Sequence, residues 1–202
     1  DGHIDDFLLN CGYSDDVKSG EDTETAEYVI VDDKNAFKDY VTLRTRRKHN
    51  DVVLGDSGVV ITEKLSKDLG VKKGDKITVT SSAGKHAEAV VSGITEMYVN
   101  HYVYISTEYY NELFGNVPDN NRVLIKINGD VSETESYMGD EYLTRDYIKG
   151  VSFLNANVTR FENMIQSLDL VTWVLIISAG LLAFVVLYNL TNVNISERRR
   201  EI

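Results

Sequence analysis

The stretch DLVTWVLIISAGLLAFVVLYNLTNVNISERRREI, residues 169–202, decides how this chain is organised. From Leu170 to Leu190 it contains no charged residue. At about 1.5 Å per residue, an α-helix of this length spans about 31 Å, the thickness of the hydrocarbon core of a bilayer. It also lacks the polar face that a surface helix of a globular domain presents. The stretch therefore predicts a membrane-spanning helix over about 170–190, and a buried core helix of a larger protein is the alternative.

The residues at the two ends of the predicted span indicate its direction. Trp173 and Tyr188 lie near opposite ends, where aromatic side chains anchor a helix at the two membrane surfaces. Three consecutive arginines, at 198–200, follow on the C-terminal side, and short segments rich in Arg and Lys stay in the cytoplasm. We therefore expect residues 1–168 to lie outside the cell and residues 193–202 in the cytoplasm.

Small residues occupy the middle of the predicted span, namely Ser178, Ala179, Gly180 and Ala183. Ala179 and Ala183 are four residues apart and therefore share one face of the helix. Such a face lets a second membrane helix approach closely, so the pattern predicts a packing surface. The alternative is that Gly and Ala are simply frequent in membrane helices.

The rest of the chain has the composition of an acidic globular domain. The 202 residues are 43% hydrophobic and 26% charged, with a formal net charge of −11. This balance argues against nucleic acid as a partner, because such binding requires a basic surface. It also argues against a domain that lies flat on anionic lipid. Cys11 is the only cysteine, so the chain cannot form an internal disulfide.

Hydrophobic patterns and helix caps predict an α+β outer domain over residues 1–160. Short helices are expected to begin at Asp33, Thr62 and Thr107, with Leu65 and Leu69 on one face of the second and Gly115 at the end of the third. The strand over 25–32 is expected to form a hairpin with the segment 8–16. We expect two subdomains, a β-rich one over about 50–106 and a compact α/β one over about 122–159. The predicted strands are 8–16, 25–32, 76–80, 86–94, 101–106, 122–129 and 150–159.

Helix propensity is continuous from Arg160 into the predicted span, and no proline interrupts it. We therefore expect one long helix from about Thr159 to about Asn192. The expected domain limits are 1–160 for the outer domain, 161–192 for the long helix and 193–202 for the start of a cytoplasmic segment. A further helix is expected over 131–143.

The sequence contains no motif that predicts catalysis, a cofactor or a metal. Residues 70–78, GVKKGDKIT, lack the glycine spacing of a phosphate-binding loop. The acidic pairs lack the calcium-loop pattern, so we interpret them as solvated turns. The histidines form neither an i, i+4 pair nor an HExxH motif, and they lie at positions 3, 49, 86 and 101. We predict no catalytic residue, no cofactor and no metal site.

Residues 181–202, LLAFVVLYNLTNVNISERRREI, resemble a segment of the FtsX-like, or MacB-type, ABC transporter permease family. In that family a membrane helix leaves the bilayer on the cytoplasmic side and continues into an SERxREI segment that contacts the nucleotide-binding subunit. Residues 58–79, GVVITEKLSKDLGVKKGDKITV, also resemble a recurring segment of the outer domains of these permeases. Over the first fifty residues the resemblance is weak.

The resemblance implies a permease piece of the mechanotransmission type, located in a bacterial plasma membrane. Its outer domain would lie between two membrane helices, so further helices are expected before Asp1 and after Ile202. The implied partners are a cytoplasmic ABC ATPase subunit, a second permease copy or half, and membrane lipid. ATP would be hydrolysed by the partner subunit, and this chain would not be an enzyme. The implied coupling segment consists of Ser196, Glu197, Arg198, Arg199, Arg200 and Glu201.

The sequence leaves several biological roles open. A permease of this type could serve efflux, lipid or lipoprotein handling, antimicrobial peptide resistance or the regulation of a cell-wall enzyme. One alternative is a single-pass surface receptor or adhesion module whose arginines act as a stop-transfer signal. Another is a membrane-anchored enzyme such as a hydrolase. Tyrosines between Tyr98 and Tyr110 predict either a contact surface for an extracytoplasmic partner or ordinary core positions.

Overall fold

The computed structural model describes residues 4–97, 99–128, 138–139 and 141–198. The chain divides into two compact units, Asp1–Gly129 and Asp130–Ile202. The strands are β1 Ile4–Ser19, β2 Asp22–Val31, β3 Val59–Thr62, β4 Lys76–Thr80, β5 His86–Thr95, β6 Tyr102–Ser106 and β7 Arg122–Ile127. The helices are α1 Lys34–Phe37, α2 Glu63–Asp68, α3 Thr107–Phe114 and α4 Leu154–Arg198. The predicted α+β class is confirmed.

The strands of the first unit form a mixed sheet that closes on itself. Its order is β2-β6-β3-β5-β4-β1-β7, and β2 also pairs with β1. The strands from β2 to β1 therefore form a ring, in which β2–β6 and β3–β5 are parallel pairs and the others are antiparallel. Closure of this kind provides hydrogen-bond partners for strands that would otherwise form exposed edges.

Strand β1 is long because it pairs with three strands, among them β4 through Val17 and Lys18. Its C-terminal half forms the predicted hairpin with β2, from Cys11 opposite Ile30 to Ser19 opposite Asp22. Its N-terminal part, from Ile4 to Asn10, pairs instead with β7. β7 therefore joins the sheet of the first unit.

An asparagine side chain continues the β7 pairing where that strand begins. The Nδ2 of Asn121 donates a hydrogen bond to the Gly12 carbonyl at 2.8 Å. The Gly12 backbone N–H donates to Oδ1 of Asn121 at 2.9 Å. This amide thus satisfies both backbone groups of Gly12 close to the point where β1 passes from one partner strand to the next.

The core of the first unit consists of branched aliphatic and tyrosine side chains. Burying each such aliphatic side chain contributes about 1.5–3 kcal/mol, which makes this cluster the main source of stability. Helix α2 adds Leu65 and Leu69 to it, four residues apart as the sequence predicts, and α3 adds Tyr109 and Tyr110. Its fully buried strand residues include Val17, Val59, Ile61, Val79, Val91 and Val103.

Several strands are buried on both faces, because a second apolar cluster lies on the other side of the sheet. Along β2, Tyr28 and Ile30 belong to the first cluster, whereas Val29 and Val31 belong to the second. The second cluster also contains Phe37, the last residue of α1. Burial on both faces explains why residues 28–31 of β2 are all apolar rather than alternately apolar and polar.

The three short helices of the first unit begin where the sequence predicts, but only Asp33 caps its helix as expected. Thr62 precedes α2 without a side-chain capping hydrogen bond, and Ser106 rather than Thr107 caps α3. Asp33 precedes α1, and its carboxylate accepts hydrogen bonds from the backbone N–H groups of Asn35 and Ala36 at 2.9 and 3.0 Å. The Ser106 hydroxyl accepts from the Tyr109 N–H at the start of α3. Gly115 ends that helix in the left-handed conformation, with φ of 73°.

The region after β7 departs from the sequence prediction. The strand predicted over 150–159 is wrong, because α4 begins at Leu154 and continues to Arg198. The first strand of the compact α/β subdomain expected over 122–159 is β7, which pairs with β1 of the first unit, and the expected last strand is helical from Leu154. The helix extends further back than expected because no proline or glycine separates Leu154 from the span, and local strand propensity is a weak constraint.

Two further expectations have mixed outcomes. In the region 131–143, residues 138–139 and 141–143 are helical, and the remaining residues lie outside the described part of the chain. Tyr104, Tyr109 and Tyr110 are buried, so they fill core positions rather than form a contact surface. Tyr98 lies outside the described residues.

Gly58 is expected to be one of the positions most sensitive to substitution. Its φ is 78°, and an added Cβ would lie 2.7 Å from Cβ of Ser92 and 2.8 Å from the Val90 carbonyl oxygen. Gly70 has a similar φ of 67° but nothing within 4 Å of an added Cβ. Gly58→Ala should therefore lower the free energy of unfolding by about 2–5 kcal/mol, from backbone strain plus overpacking.

Gly70→Ala is the matched control and should cost only the backbone strain, about 1–2 kcal/mol. Urea unfolding followed by the near-ultraviolet circular dichroism of the tyrosines measures both variants. Equal losses in the two variants would contradict the close approach of β3 and β5 at Gly58.

Candidate functional site

One helix among the described residues is long and apolar enough to cross a membrane. The candidate span is Leu168–Val193, 26 residues with a mean hydropathy of 2.7, and none of it is buried against protein. The predicted span of 170–190 lies inside these limits. An apolar helix whose side chains are all exposed is unfavourable in water, so the geometry fits a helix that lipid or other membrane helices surround.

Three hydroxyl side chains of this helix find their hydrogen-bond acceptors within the helix itself. The hydroxyls of Thr172, Ser178 and Thr191 each donate a hydrogen bond to the carbonyl four residues earlier, at 3.0, 2.7 and 2.8 Å. A hydroxyl that bonds its own helix adds little cost in hydrocarbon. The three residues are therefore compatible with the span and need no partner helix.

The predicted anchors and the small-residue face lie on the surface of α4. Trp173 and Tyr188 are exposed, and their positions are fifteen residues apart, which corresponds to about 22 Å along the helix. Ser178, Ala179, Gly180 and Ala183 are exposed as well. An added Cβ at Gly180 would meet nothing within 4 Å, so this face has room for a partner. Its role in helix packing stays a prediction.

Most of the predicted coupling segment lies outside what the structure describes. The backbone of Ser196, Glu197 and Arg198 is helical and belongs to the last turn of α4, but their side chains are outside the described set. Arg199, Arg200 and Glu201 lie wholly outside the described residues. The contact of this segment with an ATPase therefore stays a prediction.

In the first unit, three ionisable side chains that are distant in sequence meet at one place. Glu24 comes from β2, Asp68 from the last position of α2, and His101 from the residue before β6. One ligand atom from each lies within 4.8 Å of the other two. The parallel pairing of β2 with β6 places His101 beside β2, and the Glu27 N–H donates to the His101 carbonyl at 2.9 Å.

Both nitrogens of the His101 ring face oxygen atoms. Nδ1 lies 3.2 Å from the Thr25 carbonyl oxygen and 3.7 Å from a Glu24 carboxylate oxygen. Nε2 lies 2.9 Å from Oδ2 of Asp68. The Lys64 ammonium lies 2.5 Å from that same oxygen. The hydrogen bonds from Lys64 and, next, from His101 hold the pKa of the Asp68 carboxyl below its usual value.

A shallow open groove adjoins this cluster. Its volume is about 320 Å³, and its lining includes His101 of the cluster and Thr25, whose carbonyl faces the His101 ring. Its other lining residues are Ser14, Ala26, Glu27, Asn100 and Tyr102. The Ser14 hydroxyl donates to the Glu27 carboxylate at 2.7 Å, so part of this polar lining is already paired.

Sequence reasoning missed the cluster because its members share no local spacing. Motif searches for metal or catalytic sites rely on residues a few positions apart, whereas this cluster depends on the β2–β6 pairing and on where α2 ends. A weak signal existed in the strand pattern, since the chain from 101 to 106 is predicted as a strand. Nothing in the sequence indicates that it pairs with β2.

Comparisons with known proteins give similarity in structure but not in sequence. No family model matches the chain, and no curated protein matches it. One similar solved structure is the extracellular domain of the noncanonic ABC-type transporter YknZ from Gram-positive bacteria. It is 11% identical with a TM-score of 0.46, and the match covers 68% of this chain and 71% of that one.

A second similar structure is the periplasmic region of MacB from Actinobacillus actinomycetemcomitans. It is 13% identical with a TM-score of 0.42, and the match covers 71% of this chain and 68% of that one. Identities and scores this low describe a likeness of fold and carry no information about activity.

The direction of α4 across the membrane can be tested by cysteine labelling in intact bacterial cells. In a Cys11→Ser background, we expect a membrane-impermeant maleimide to label Ser57→Cys, an exposed position of the first unit. Ser196→Cys, on the arginine side of the span, should react only after the cells are permeabilised, because a short segment rich in arginine is expected to stay in the cytoplasm. Labelling of Ser196→Cys but not Ser57→Cys in intact cells would contradict this orientation.

Proposed function

We propose that this chain is part of a permease subunit of an ABC transporter of the mechanotransmission type, in a bacterial plasma membrane. The observation that carries the proposal is α4, a single helix that contains the whole apolar span and extends beyond it at both ends. Its last turn enters the stretch that resembles the ATPase-contacting segment of FtsX-like permeases. In this proposal the first unit is extracytoplasmic and residues 193–202 are cytoplasmic.

The length and continuity of α4 suit the transmission of motion. Its 45 residues correspond to about 67 Å, more than twice the thickness of a bilayer core. The only proline of the chain is Pro118, so α4 has no proline kink. A continuous helix transmits tilting or axial displacement from one end to the other, whereas a flexible linker would absorb it.

The first unit suits the role of a body that moves as a whole. Its ring sheet is closed, and its core side chains pack on both faces of the central strands. Packed cores deform little, so a displacement at one edge moves the whole unit. In the proposed cycle, the ATPase moves the inner end of α4, and the outer unit changes its position relative to a partner or cargo outside the cell.

The proposed partners follow from the two ends and the middle of α4. The charged segment that begins at Ser196 would contact a cytoplasmic ABC ATPase subunit, which hydrolyses the ATP. The face with Ala179 and Ala183 would pack against a helix of a second permease copy or half. The remaining apolar surface would contact lipid. The chain itself would have no enzymatic activity.

The coupling segment provides the test. In the full transporter, replacing Glu197 and Arg199 together by Ala should uncouple ATP hydrolysis from the permease, because the variant removes charges of both signs from the proposed contact. We expect the stimulation of ATPase activity by the permease to fall at least about tenfold, the size of effect that loss of one or two charged hydrogen bonds produces. The measurement is ATP hydrolysis by the reconstituted complex.

Thr191→Ala is the matched control, because the Thr191 hydroxyl bonds its own helix near the same membrane surface. It should leave ATPase stimulation unchanged. Unchanged stimulation in the Glu197→Ala, Arg199→Ala variant would overturn the contact. Failure of any ABC ATPase to copurify with the full-length protein would favour the single-pass receptor instead.

A further inference from the structure

We propose that Glu24, Asp68 and His101 bind one divalent transition-metal ion of the zinc class at the surface of the first unit. The inference is independent of the proposed transport function, because it depends only on side chains within the first unit. It concerns a site that no local motif marks and that the fold alone assembles.

The donor set suits a zinc-class ion. The three side chains supply one imidazole nitrogen and two carboxylate oxygens, and one ligand atom from each lies within 4.8 Å of the other two. Calcium and magnesium prefer oxygen ligands throughout, whereas imidazole favours zinc, copper, nickel or iron. Three protein ligands with water in a fourth position is a common arrangement for zinc.

The orientation of the His101 ring points to a ligand at Nε2. A metal ion at Nε2 requires the ring proton to be on Nδ1, and the Thr25 carbonyl oxygen, 3.2 Å from Nδ1, would accept the hydrogen bond from that proton. Without a metal ion, a proton on Nε2 would donate to Oδ2 of Asp68, 2.9 Å away. A zinc-class ion would take the place of that proton between the same two ligand atoms. Metal-bound histidines commonly donate their other N–H to a backbone carbonyl in this way.

Glu24 completes the set from the opposite side of the ring. Its Oε2 lies 3.7 Å from Nδ1, beyond hydrogen-bond distance, so the carboxylate is not committed to the ring. Its side chain is 37% exposed and the His101 side chain 14% exposed, which leaves the glutamate room to turn around a nearly fixed imidazole. His101 is therefore the rigid member of the site and Glu24 the adjustable one.

Lys64 competes with a metal ion for Asp68. Its ammonium lies 2.5 Å from the same Oδ2 that faces His101, in an i, i+4 pair along α2. The Lys64 side chain is 40% exposed, and ion pairs at such positions contribute little to stability. A divalent ion can therefore displace the lysine, whose charge nevertheless weakens binding. Removal of the lysine charge should tighten the site.

Access for the ion is provided by the adjoining groove. It is open to solvent, has a volume of about 320 Å³, and includes His101 and Thr25 in its wall. The groove leaves room for the water molecules that would complete the coordination of an ion bound by three protein ligands.

The competing explanation is a protonated His101 that bridges the Thr25 carbonyl and the Asp68 carboxylate without any metal. Both explanations place a positive charge near Nε2, but they differ in what is bound. Only the metal site takes up zinc with one ion per chain, and only the metal site gains affinity when Lys64 loses its charge.

Titration calorimetry with zinc chloride on the full 202-residue chain in detergent, free of any histidine tag, tests the proposal. We expect one ion per chain. His101→Gln and Glu24→Gln should each weaken binding at least about tenfold, and Lys64→Met should strengthen it by a similar factor. His86→Gln is the matched control, since the ring of His86 faces the Thr80 hydroxyl rather than a carboxylate, and it should bind zinc as the unmodified chain does. Magnesium chloride should give no binding.

Absence of saturable zinc binding would overturn the proposal, as would equal affinities of the His101→Gln and His86→Gln variants. Circular dichroism establishes that each variant is folded. If His101→Gln does not fold, the Glu24→Gln and Lys64→Met variants decide, because both positions are partly exposed and outside the core. Unchanged zinc affinity in both of these would overturn the proposal.

Discussion

The organisation of the chain depends on one constraint, which is that backbone polar groups inside a bilayer must find their hydrogen-bond partners within the protein. An α-helix meets this requirement by itself. The stretch Leu168–Val193 meets it without interruption, and its hydroxyl side chains return their hydrogen bonds to the same helix. The helix continues beyond the span at both ends, so α4 as a whole is 45 residues long. Its length is what makes a mechanical role physically reasonable.

The first unit solves a different problem by a different route. A sheet exposes unpaired backbone groups at its edge strands, and β1 reduces this exposure by pairing with β2, β4 and β7 along its length. Its sixteen residues close the ring and also hold β7. The same closure aligns β2 with β6, and that alignment brings His101 beside Glu24 and Asp68. The ionisable cluster is thus a consequence of the way in which the sheet closes.

Much of the fold follows from local signals in the sequence. The β1–β2 hairpin, the capping Asp33, the Leu65–Leu69 face of α2 and the terminal Gly115 all depend on residues close together in the chain, and all are confirmed. The span is equally local, because an uncharged stretch of sufficient length identifies it.

Pairings between distant segments could not be predicted from the sequence. The role of β7 as a partner of β1, the parallel β2–β6 pair and the meeting of Asp68 with His101 all depend on long-range closure, which periodicity does not encode. The strand predicted over 150–159 is wrong because the long helix begins at Leu154 and overrides the weak strand propensity of this segment. The coupling segment stays a prediction of the resemblance, since its side chains lie outside the described residues.

The proposed mechanical role requires α4 to be one continuous, stiff helix from the outer side of the membrane to the cytoplasmic side. Spin labels at Ile165→Cys and Ile195→Cys, two exposed positions on α4, measure this directly in a bilayer, in a Cys11→Ser background. Thirty residues of unbroken helix place the two labelled backbone positions about 45 Å apart, with a narrow distance distribution. We expect this distance both without the ATPase and with the nucleotide-bound ATPase. A broad distribution, or a distance that shortens by about 10 Å or more, would show a break in the helix and contradict the mechanical role of α4.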